Sequence, residues 1–331
     1  MAALISVIRD RYNYLFYELA DERTRDSFPS AGLLMVLLPF YLYFCTRLGP
    51  RLMKDRKPFE LKTPIFYYNL FQILVSAYNI YFGIKGGWFN GYSFKCQPVD
   101  RTINPQTEAM ITGCLWYTTV KLIDLMDTVF FVLRKKDRQI SFLHLFHHTM
   151  MPIGAFICQK YFPNGHGTLV GLINCFVHVI MYSYYLISGL GPEYQKYLWW
   201  KKHVTTLQLV QFCIVFVHNF IAIVDSTCEY PKPLSVLLCL HSLQFIYMFG
   251  SFYYATYIKS PQVAANGKTN GKANGKANGV VNGKSNGEAN GNTNGIFNGK
   301  ANGEANGKTI DVADGKCGGD LKSTSERVKQ Q

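Results

Sequence analysis

Seven stretches of this chain are apolar over lengths that reach or approach what a helix needs to cross a lipid bilayer. A spanning helix takes about 20 mostly apolar residues. The stretches cover roughly 30–47, 64–84, 109–133, 140–159, 167–190, 204–224 and 233–258. Hydrophobic residues make up 48% of the chain although its C-terminal part is strongly polar, so the remainder is too apolar for an ordinary soluble fold. We therefore predict an all-α, polytopic membrane protein with seven transmembrane helices.

Two polar segments flank this predicted helical domain, which spans 30–258. Segment 1–29 mixes charged with apolar residues and lacks the form of a cleavable signal sequence, so we expect an amphipathic, non-cytosolic segment lying on the membrane. Segment 259–331 repeats around Asn-Gly, largely every four residues. Because almost no apolar strands flank these dipeptides, we expect a disordered cytosolic tail rather than hairpins.

The formal net charge is +13, and the basic residues gather in alternate loops, within 47–62, 134–138 and 196–202. By the positive-inside rule these loops face the cytosol, which fits anionic ligands better than nucleic acid. Cys96 and Cys228 then share the opposite face, where an oxidising lumen would allow a disulfide. Their separation in sequence leaves open whether their Cα atoms come close enough for one.

Three histidines, His144, His147 and His148, lie at spacings i, i+3 and i+4, so on a helix they project from one face. Ionisable groups at membrane depth are costly, and they are functional candidates for that reason. The alternative is a set of structural histidines bonded to backbone or tyrosine hydroxyls. The presence of three histidines on one face favours the functional interpretation.

Other polar side chains fall at a similar depth on neighbouring predicted helices. They are Lys121, Asp124, Asp127 and Thr128 on the third, Asn174, His178, Met181, Tyr182 and Tyr185 on the fifth, Thr205, Gln208 and Gln211 on the sixth, and His241 and Gln244 on the seventh. At 1.5 Å per residue, His147 lies about 14 Å and His178 about 18 Å in from the basic loops. Mutual contact around an enclosed cavity would satisfy these groups. The alternative that Lys121 and Asp124 form a purely structural ion pair stays open.

The mouth of such a cavity would face the cytosolic cations, which matches a ligand with a polyanionic head and an apolar tail. Acyl-coenzyme A is such a ligand. Its phosphates would meet Arg134, Lys135, Lys136, Lys201 and Lys202. A topology signal alone explains these charges equally well.

Over roughly residues 25–260 the chain resembles the ELO family of very-long-chain fatty acid elongases, in the manner of an invertebrate member. The matching stretches are Lys121-Leu-Ile-Asp-Leu-Met-Asp127-Thr128, His144-Leu-Phe-His147-His148, His178-Val-Ile-Met181-Tyr182-Ser-Tyr184-Tyr185, Thr205-Thr-Leu-Gln208-Leu-Val-Gln211-Phe212 and, more loosely, Phe249-Gly-Ser-Phe-Tyr253. A histidine box alone also occurs in desaturases and hydroxylases, but four motifs in this order are specific. Asp124 stands where the family more often has Glu, for which we expect altered positioning rather than lost function.

The resemblance implies a multi-pass enzyme of the endoplasmic reticulum membrane, with six of seven helices enclosing a narrow substrate tunnel. It implies an acyltransferase, a 3-oxoacyl-CoA synthase that condenses acyl-CoA with malonyl-CoA and releases carbon dioxide and coenzyme A. No metal or other cofactor is expected. A 3-ketoacyl-CoA reductase, a 3-hydroxyacyl-CoA dehydratase and an enoyl-CoA reductase would complete the cycle as partners, and a homodimer stays open.

For the mechanism we expect His147 to accept the acyl group as an acyl-imidazole, as the family also suggests, with His178 facing it. His144 and His148 would orient the nucleophile. The supporting polar shell would comprise Lys121, Asp124, Asp127, Asn174, Tyr182, Gln208 and Gln211. Cys175 is the rival nucleophile. A di-iron oxygenase would need more ligands than the chain offers at depth, and a lipid transporter or receptor is the third interpretation.

Overall fold

The computed structural model describes residues 1–259 and, beyond them, only residues 304–305 and 308–309. The α-helices are α1 (Ala2–Asn13), α2 (Ala31–Tyr43), α3 (Gly49–Met53), α4 (Lys62–Lys85), α5 (Pro105–Ile123), α6 (Met126–Leu133), α7 (Phe142–Tyr161), α8 (Thr168–Leu190), α9 (Lys201–Val224) and α10 (Lys232–Tyr253). Two-residue strands β1 (Glu304–Ala305) and β2 (Lys308–Thr309) pair antiparallel. The rest of the predicted disordered tail lies outside the described residues.

Each of the seven apolar stretches is helical in the structure. A π-helical turn joins α2 to α3, so the first stretch continues to Met53. The prediction of one continuous helix over 109–133 is wrong, because α5 ends at Ile123 and α6 begins at Met126. At the break, the amides of Leu125 and Asp127 bond to carbonyls three residues back rather than four.

Within the described residues, four helical stretches are long and apolar enough to cross a membrane. They are Ala31–Met53, Thr168–Leu190, Lys201–Val224 and Lys232–Lys259. The remaining long helices, α4, α5 and α7, are less apolar because they carry buried polar side chains such as Gln72, Lys121 and Gln159. The protein is therefore a membrane protein in which these three helices also carry buried polar groups.

The helices that carry the predicted site pack side by side. Contacts run from α7 to α5, then to α4, α8, α9 and α10. The ring of His147 on α7 lies 5.2 Å from that of Phe245 on α10, which brings the two ends of this series together. Helix α2 packs against α7.

The ends of the helices opposite the basic loops are held by covalent and polar links. Cys96 and Cys228 form a disulfide with Cα atoms 5.6 Å apart, within the range that such a bond requires. The Asp21 backbone amide donates to the carbonyl of Lys160 at the end of α7. Arg23 donates to the Asp21 carboxylate at 2.9 Å and to the Asp100 carbonyl at 3.0 Å. The N-terminal segment thus packs onto the helical domain at this end.

Candidate active site

A cavity of about 300 Å³ lies between the packed helices and brings together most of the predicted site. The predicted residues that line it are His144, His147, His148, His178, Asp127, Asn174, Tyr182, Gln208, Gln211, Arg134, Lys136 and Lys201. Histidines from α7 and α8 therefore face one cavity, with cations of the basic loops on its wall.

The histidine box sits in the first two turns of α7, where the backbone is held by a side-chain cap. The Ser141 hydroxyl accepts a hydrogen bond from the His144 amide at 3.2 Å. The His144 Nε2 atom lies 2.8 Å from the hydroxyl of Thr128, which lies 2.7 Å from the hydroxyl of Tyr41. Because Tyr41 and Thr128 are buried, this chain of hydrogen bonds fixes the His144 ring.

His147 is held by packing rather than by hydrogen bonds. Its ring lies 5.2 Å from that of Phe245, 6.1 Å from that of Phe249 and 5.4 Å from that of His148. No hydrogen bond reaches its ring nitrogens from the part of the chain that the structure describes. Since the ring also lines the cavity, its nitrogens are available to a substrate.

His178 is backed by a buried ion pair. The Lys121 Nζ atom lies 2.9 Å from Asp124 Oδ2 and 3.5 Å from each ring nitrogen of His178. Lys121 and Asp124 are 3% and 4% exposed, and neither lines the cavity. Their contact with the residues of the cavity wall thus runs through His178, among others.

Gln72 on α4 is a fully buried residue of this same cluster that the sequence motifs did not point to. Its Nε2 atom lies 2.6 Å from Asp124 Oδ1 and 2.9 Å from the Tyr68 hydroxyl. The available signal was a row of polar residues on α4 at helical spacing, Asn69, Gln72, Ser76 and Asn79, all of which are buried. Such a row on an otherwise apolar helix marks a face turned inward.

Asp127 is the acidic residue on the cavity wall. The Tyr182 hydroxyl donates to its Oδ2 atom at 2.8 Å, and the same hydroxyl lies 3.3 Å from Asp124 Oδ1. Tyr182 is fully buried, so it links the two carboxylates of the α5–α6 break.

Amide side chains complete the wall near the histidines. Asn174 Oδ1 accepts from the Tyr117 hydroxyl at 3.0 Å, and Gln208 Nε2 lies 3.6 Å from the Met181 sulfur. Gln211 is 4% exposed, and its Oε1 atom has no partner within the described residues. These amides offer polar contacts to a ligand in an otherwise aromatic setting.

The five predicted phosphate-binding cations divide into two groups. Arg134, Lys136 and Lys201 line the cavity. Lys135 instead donates to the Lys54 carbonyl at 3.0 Å, and Lys202 lies 5.8 Å from the ring centroid of Tyr253. Neither of these two lines the cavity.

Two other residues do not lie where the sequence pattern predicts. Gln244 is exposed, so only His241 of the seventh-helix pair turns inward, against the ring of Phe245 at 4.6 Å. The rival nucleophile Cys175 is buried at 5% exposure and does not line the cavity. Among the described residues no group of three His, Cys, Asp or Glu is arranged to hold a metal ion.

Comparison with known proteins decides the family. The model of the ELO family, described as the GNS1/SUR4 family, matches residues 28–265. The chain belongs to the ELO family of very-long-chain fatty acid elongases. A very long chain fatty acid elongase of Aedes aegypti is 42% identical over 266 residues, which cover 78% of this chain and 72% of that protein. Very long chain fatty acid elongase 7 of Rattus norvegicus is 45% identical over 236 residues, covering 70% and 84% respectively.

A second insect relative, very long chain fatty acid elongase 7 of Drosophila melanogaster, is 38% identical over 274 residues, covering 80% of this chain and 82% of its own. The predicted family is thereby confirmed, and the chain is an enzyme of fatty acid elongation in a membrane. The cavity lies inside the part of the chain that the elongase family model matches.

Proposed function

We propose that this elongase catalyses the condensation step, in which acyl-CoA and malonyl-CoA give 3-oxoacyl-CoA, carbon dioxide and coenzyme A. The observation that carries the proposal is the environment of His147. Its imidazole lines the cavity without a hydrogen bond from the described residues, whereas His144 is engaged by Thr128. A neutral imidazole is a competent nucleophile toward a thioester because a thiolate leaves readily.

In the first half-reaction, a ring nitrogen of His147 attacks the acyl-CoA carbonyl. A C–N bond forms, the C–S bond breaks, and the coenzyme A thiolate takes the proton that the other ring nitrogen of His147 gives up. The ring of His148, with its centroid 5.4 Å from that of His147, and the ring of His144, 4.2 Å from that of His148, hold the His147 ring in place.

In the second half-reaction, malonyl-CoA loses carbon dioxide, and the electrons of the broken C–C bond form an enolate. The enolate carbon attacks the acyl-imidazole, a C–C bond forms, the C–N bond to His147 breaks, and the released ring takes up a proton from water. His178 serves this half-reaction by orienting the malonyl group, and the nearby Lys121 ammonium stabilises negative charge there. Gln211 and Asn174 offer amide contacts to the thioester carbonyls.

The substrate would enter from the cytosol with its phosphates on Arg134, Lys136 and Lys201. The accompanying topology has seven transmembrane helices, six of them around a substrate tunnel, and a cytosolic C-terminus in the endoplasmic reticulum membrane. The order of helix contacts supports the tunnel. The reductases and the dehydratase of the cycle are the proposed partners.

Intact mass after incubation with acyl-CoA alone tests the covalent step. The wild type and Cys175→Ala should gain one acyl group, and His147→Ala should gain none. Purified His147→Ala should elute and melt like the wild type, so that the loss is chemical. Absence of the adduct from the wild type, or its survival in His147→Ala, would reject the acyl-imidazole.

A further inference from the structure

Gln72 on α4 is a fully buried amide that touches the site from behind the cavity wall. Its Nε2 atom contacts Asp124 Oδ1 at 2.6 Å, the Tyr68 hydroxyl at 2.9 Å and the Tyr182 hydroxyl at 3.5 Å. It belongs to none of the sequence stretches that carry the family resemblance. Its contacts nevertheless converge on the acidic residue that pairs with Lys121.

The carboxylate of Asp124 fixes which way the Gln72 amide points. A carbonyl oxygen placed 2.6 Å from Asp124 Oδ1 would set two acceptors against each other, so the amino group must face Asp124. Oε1 is then left buried without a partner among the described residues. Buried carbonyl groups are found unpaired more often than buried N–H groups, and here Gln72 keeps its bond to Asp124 while Oε1 has no partner within the described part of the chain.

The two oxygens of Asp124 therefore have separate partners. Oδ1 accepts from Gln72 at 2.6 Å and from the Tyr182 hydroxyl at the longer distance of 3.3 Å, and Oδ2 accepts from Lys121 at 2.9 Å. Fixing Oδ1 fixes the carboxylate plane, which sets the direction in which Oδ2 draws the Lys121 ammonium. That ammonium lies 3.5 Å from both ring nitrogens of His178.

We propose that Gln72 is a positioning residue for the malonyl half-reaction. It orients Asp124, Asp124 places Lys121, and Lys121 sets the charge beside His178. The inference rests on the proposed function, since it assigns His178 to decarboxylation and condensation rather than to acyl transfer. Gln72 itself touches neither His147 nor the cavity.

A purely structural role for Gln72 predicts a different pattern of loss. If Gln72 only satisfied a buried carboxylate, its replacement would loosen α4 and impair both half-reactions together. If Gln72 positions Lys121, acylation of His147 survives while the reaction with malonyl-CoA slows. The two half-reactions can be measured apart, as adduct formation with acyl-CoA alone and as single-turnover 3-oxoacyl-CoA formation after malonyl-CoA is added.

Gln72→Leu keeps the approximate volume and removes the hydrogen bonds. We expect acylation to stay within about twofold of the wild type and the malonyl step to fall roughly ten- to a hundredfold, the range for one hydrogen bond to a charged group. Asn79→Leu is the matched control, because Asn79 is a buried amide on the same helix without a hydrogen-bond partner among the described residues. It should leave both steps unchanged.

Gln72→Glu gives a second readout that a structural role would not move. When protonated, the introduced carboxyl group has the shape of the native amide and can donate to Asp124, whereas an ionised one repels it. The titratable groups around that position are Tyr68, Lys121, Asp124, Asp127, His178 and Tyr182. The rate of the malonyl step in Gln72→Glu, divided by the wild-type rate at the same pH, should therefore fall as pH rises. The same ratio for Gln72→Leu should stay constant.

The outcomes separate this inference from the proposed function. If the wild type forms no acyl adduct, the acyl-imidazole is rejected. The role of Gln72 is then tested by the rate of overall condensation in Gln72→Glu, divided by that of the wild type at each pH. The inference is overturned if Gln72→Leu loses both steps equally or neither, or if Gln72→Glu follows the wild type at every pH. Should Gln72→Leu fail to fold, Gln72→Glu decides alone.

Discussion

Replacing Thr128 by Val should destabilise this elongase much more than the small change in shape suggests. The Thr128 hydroxyl bonds to Tyr41 at 2.7 Å and to His144 Nε2 at 2.8 Å, and Thr128 is fully buried. Val keeps the volume but leaves both partners without a hydrogen bond. An orphaned buried polar group costs about 1–3 kcal/mol, which applies in full to Tyr41. His144 borders the cavity and adds about 1 kcal/mol, so the two together cost roughly 2–4 kcal/mol.

Thr128→Ser and Tyr41→Phe are the matched controls. Ser keeps the hydroxyl and loses one buried methyl, for about 1 kcal/mol. Phe removes the phenol oxygen and leaves Thr128 bonded to His144, for about 1 kcal/mol. In thermal unfolding in detergent, Thr128→Val should have the lowest melting temperature, at least about 4 °C below that of the wild type. A loss of 1 kcal/mol lowers the melting temperature by roughly 2–4 °C in a chain of this size.

The same variants test the role of His144. If the Thr128 hydroxyl fixes this ring and the ring steadies His148 and His147, acylation of His147 should slow in Thr128→Val and remain near wild type in Thr128→Ser. Equal melting temperatures for Val and Ser would refute the energetic reasoning. If Thr128→Val loses stability as expected but its acylation is not slower, the Thr128 hydroxyl contributes to folding alone.

Three further expectations follow from other contacts. Replacing both Cys96 and Cys228 by Ala should cost about 2–5 kcal/mol of stability, and dithiothreitol should lower the melting temperature of the wild type alone. Burial opposes ionisation of Asp21, but hydrogen bonds and charge from Arg23 prevail and lower its pKa. The stability that the ionised carboxylate contributes is therefore present above about pH 4 and is lost as pH falls through the depressed pKa. The deficit of Asp21→Asn against the wild type should accordingly shrink in acid thermal scans, and a constant deficit would contradict this. Lys201→Gln should raise the KM for acyl-CoA several-fold at low salt while Lys202→Gln changes it little; equal effects would remove the distinction between the two lysines.

Much of the fold could be predicted because hydropathy is strong over whole helices. The stretches at 167–190 and 204–224 correspond to α8 and α9 within a few residues. The break at Asp124 and Leu125 could not be predicted, because helical periodicity continues through it. At the break the backbone changes locally to three-residue hydrogen bonding, which the pattern of apolar residues does not encode.

The site was predictable where polar residues cluster and not where they are spread out. Four histidines of the motifs line one cavity, as their common depth suggested. Gln72 was missed because it is one of four polar residues in a row on α4, and nothing distinguishes it from the others until its partner Asp124 is known. Lys135 and Lys202 were indistinguishable by charge from Lys201, since only the course of the backbone decides which cations reach the cavity.

The α5–α6 break explains how one short segment can serve both groups of histidines. Before it, Lys121 and Asp124 face α4 and α8, where they meet Gln72 and His178. After it, Thr128 faces the other way, toward Tyr41 and His144. Because both sets of contacts depend on this one segment, we expect its position along the bundle to set the distance between the imidazoles of His144 and His178. A shift of the segment would disturb both half-reactions together, whereas a change at Gln72 or at Tyr41 would reach only the group of histidines on its own side.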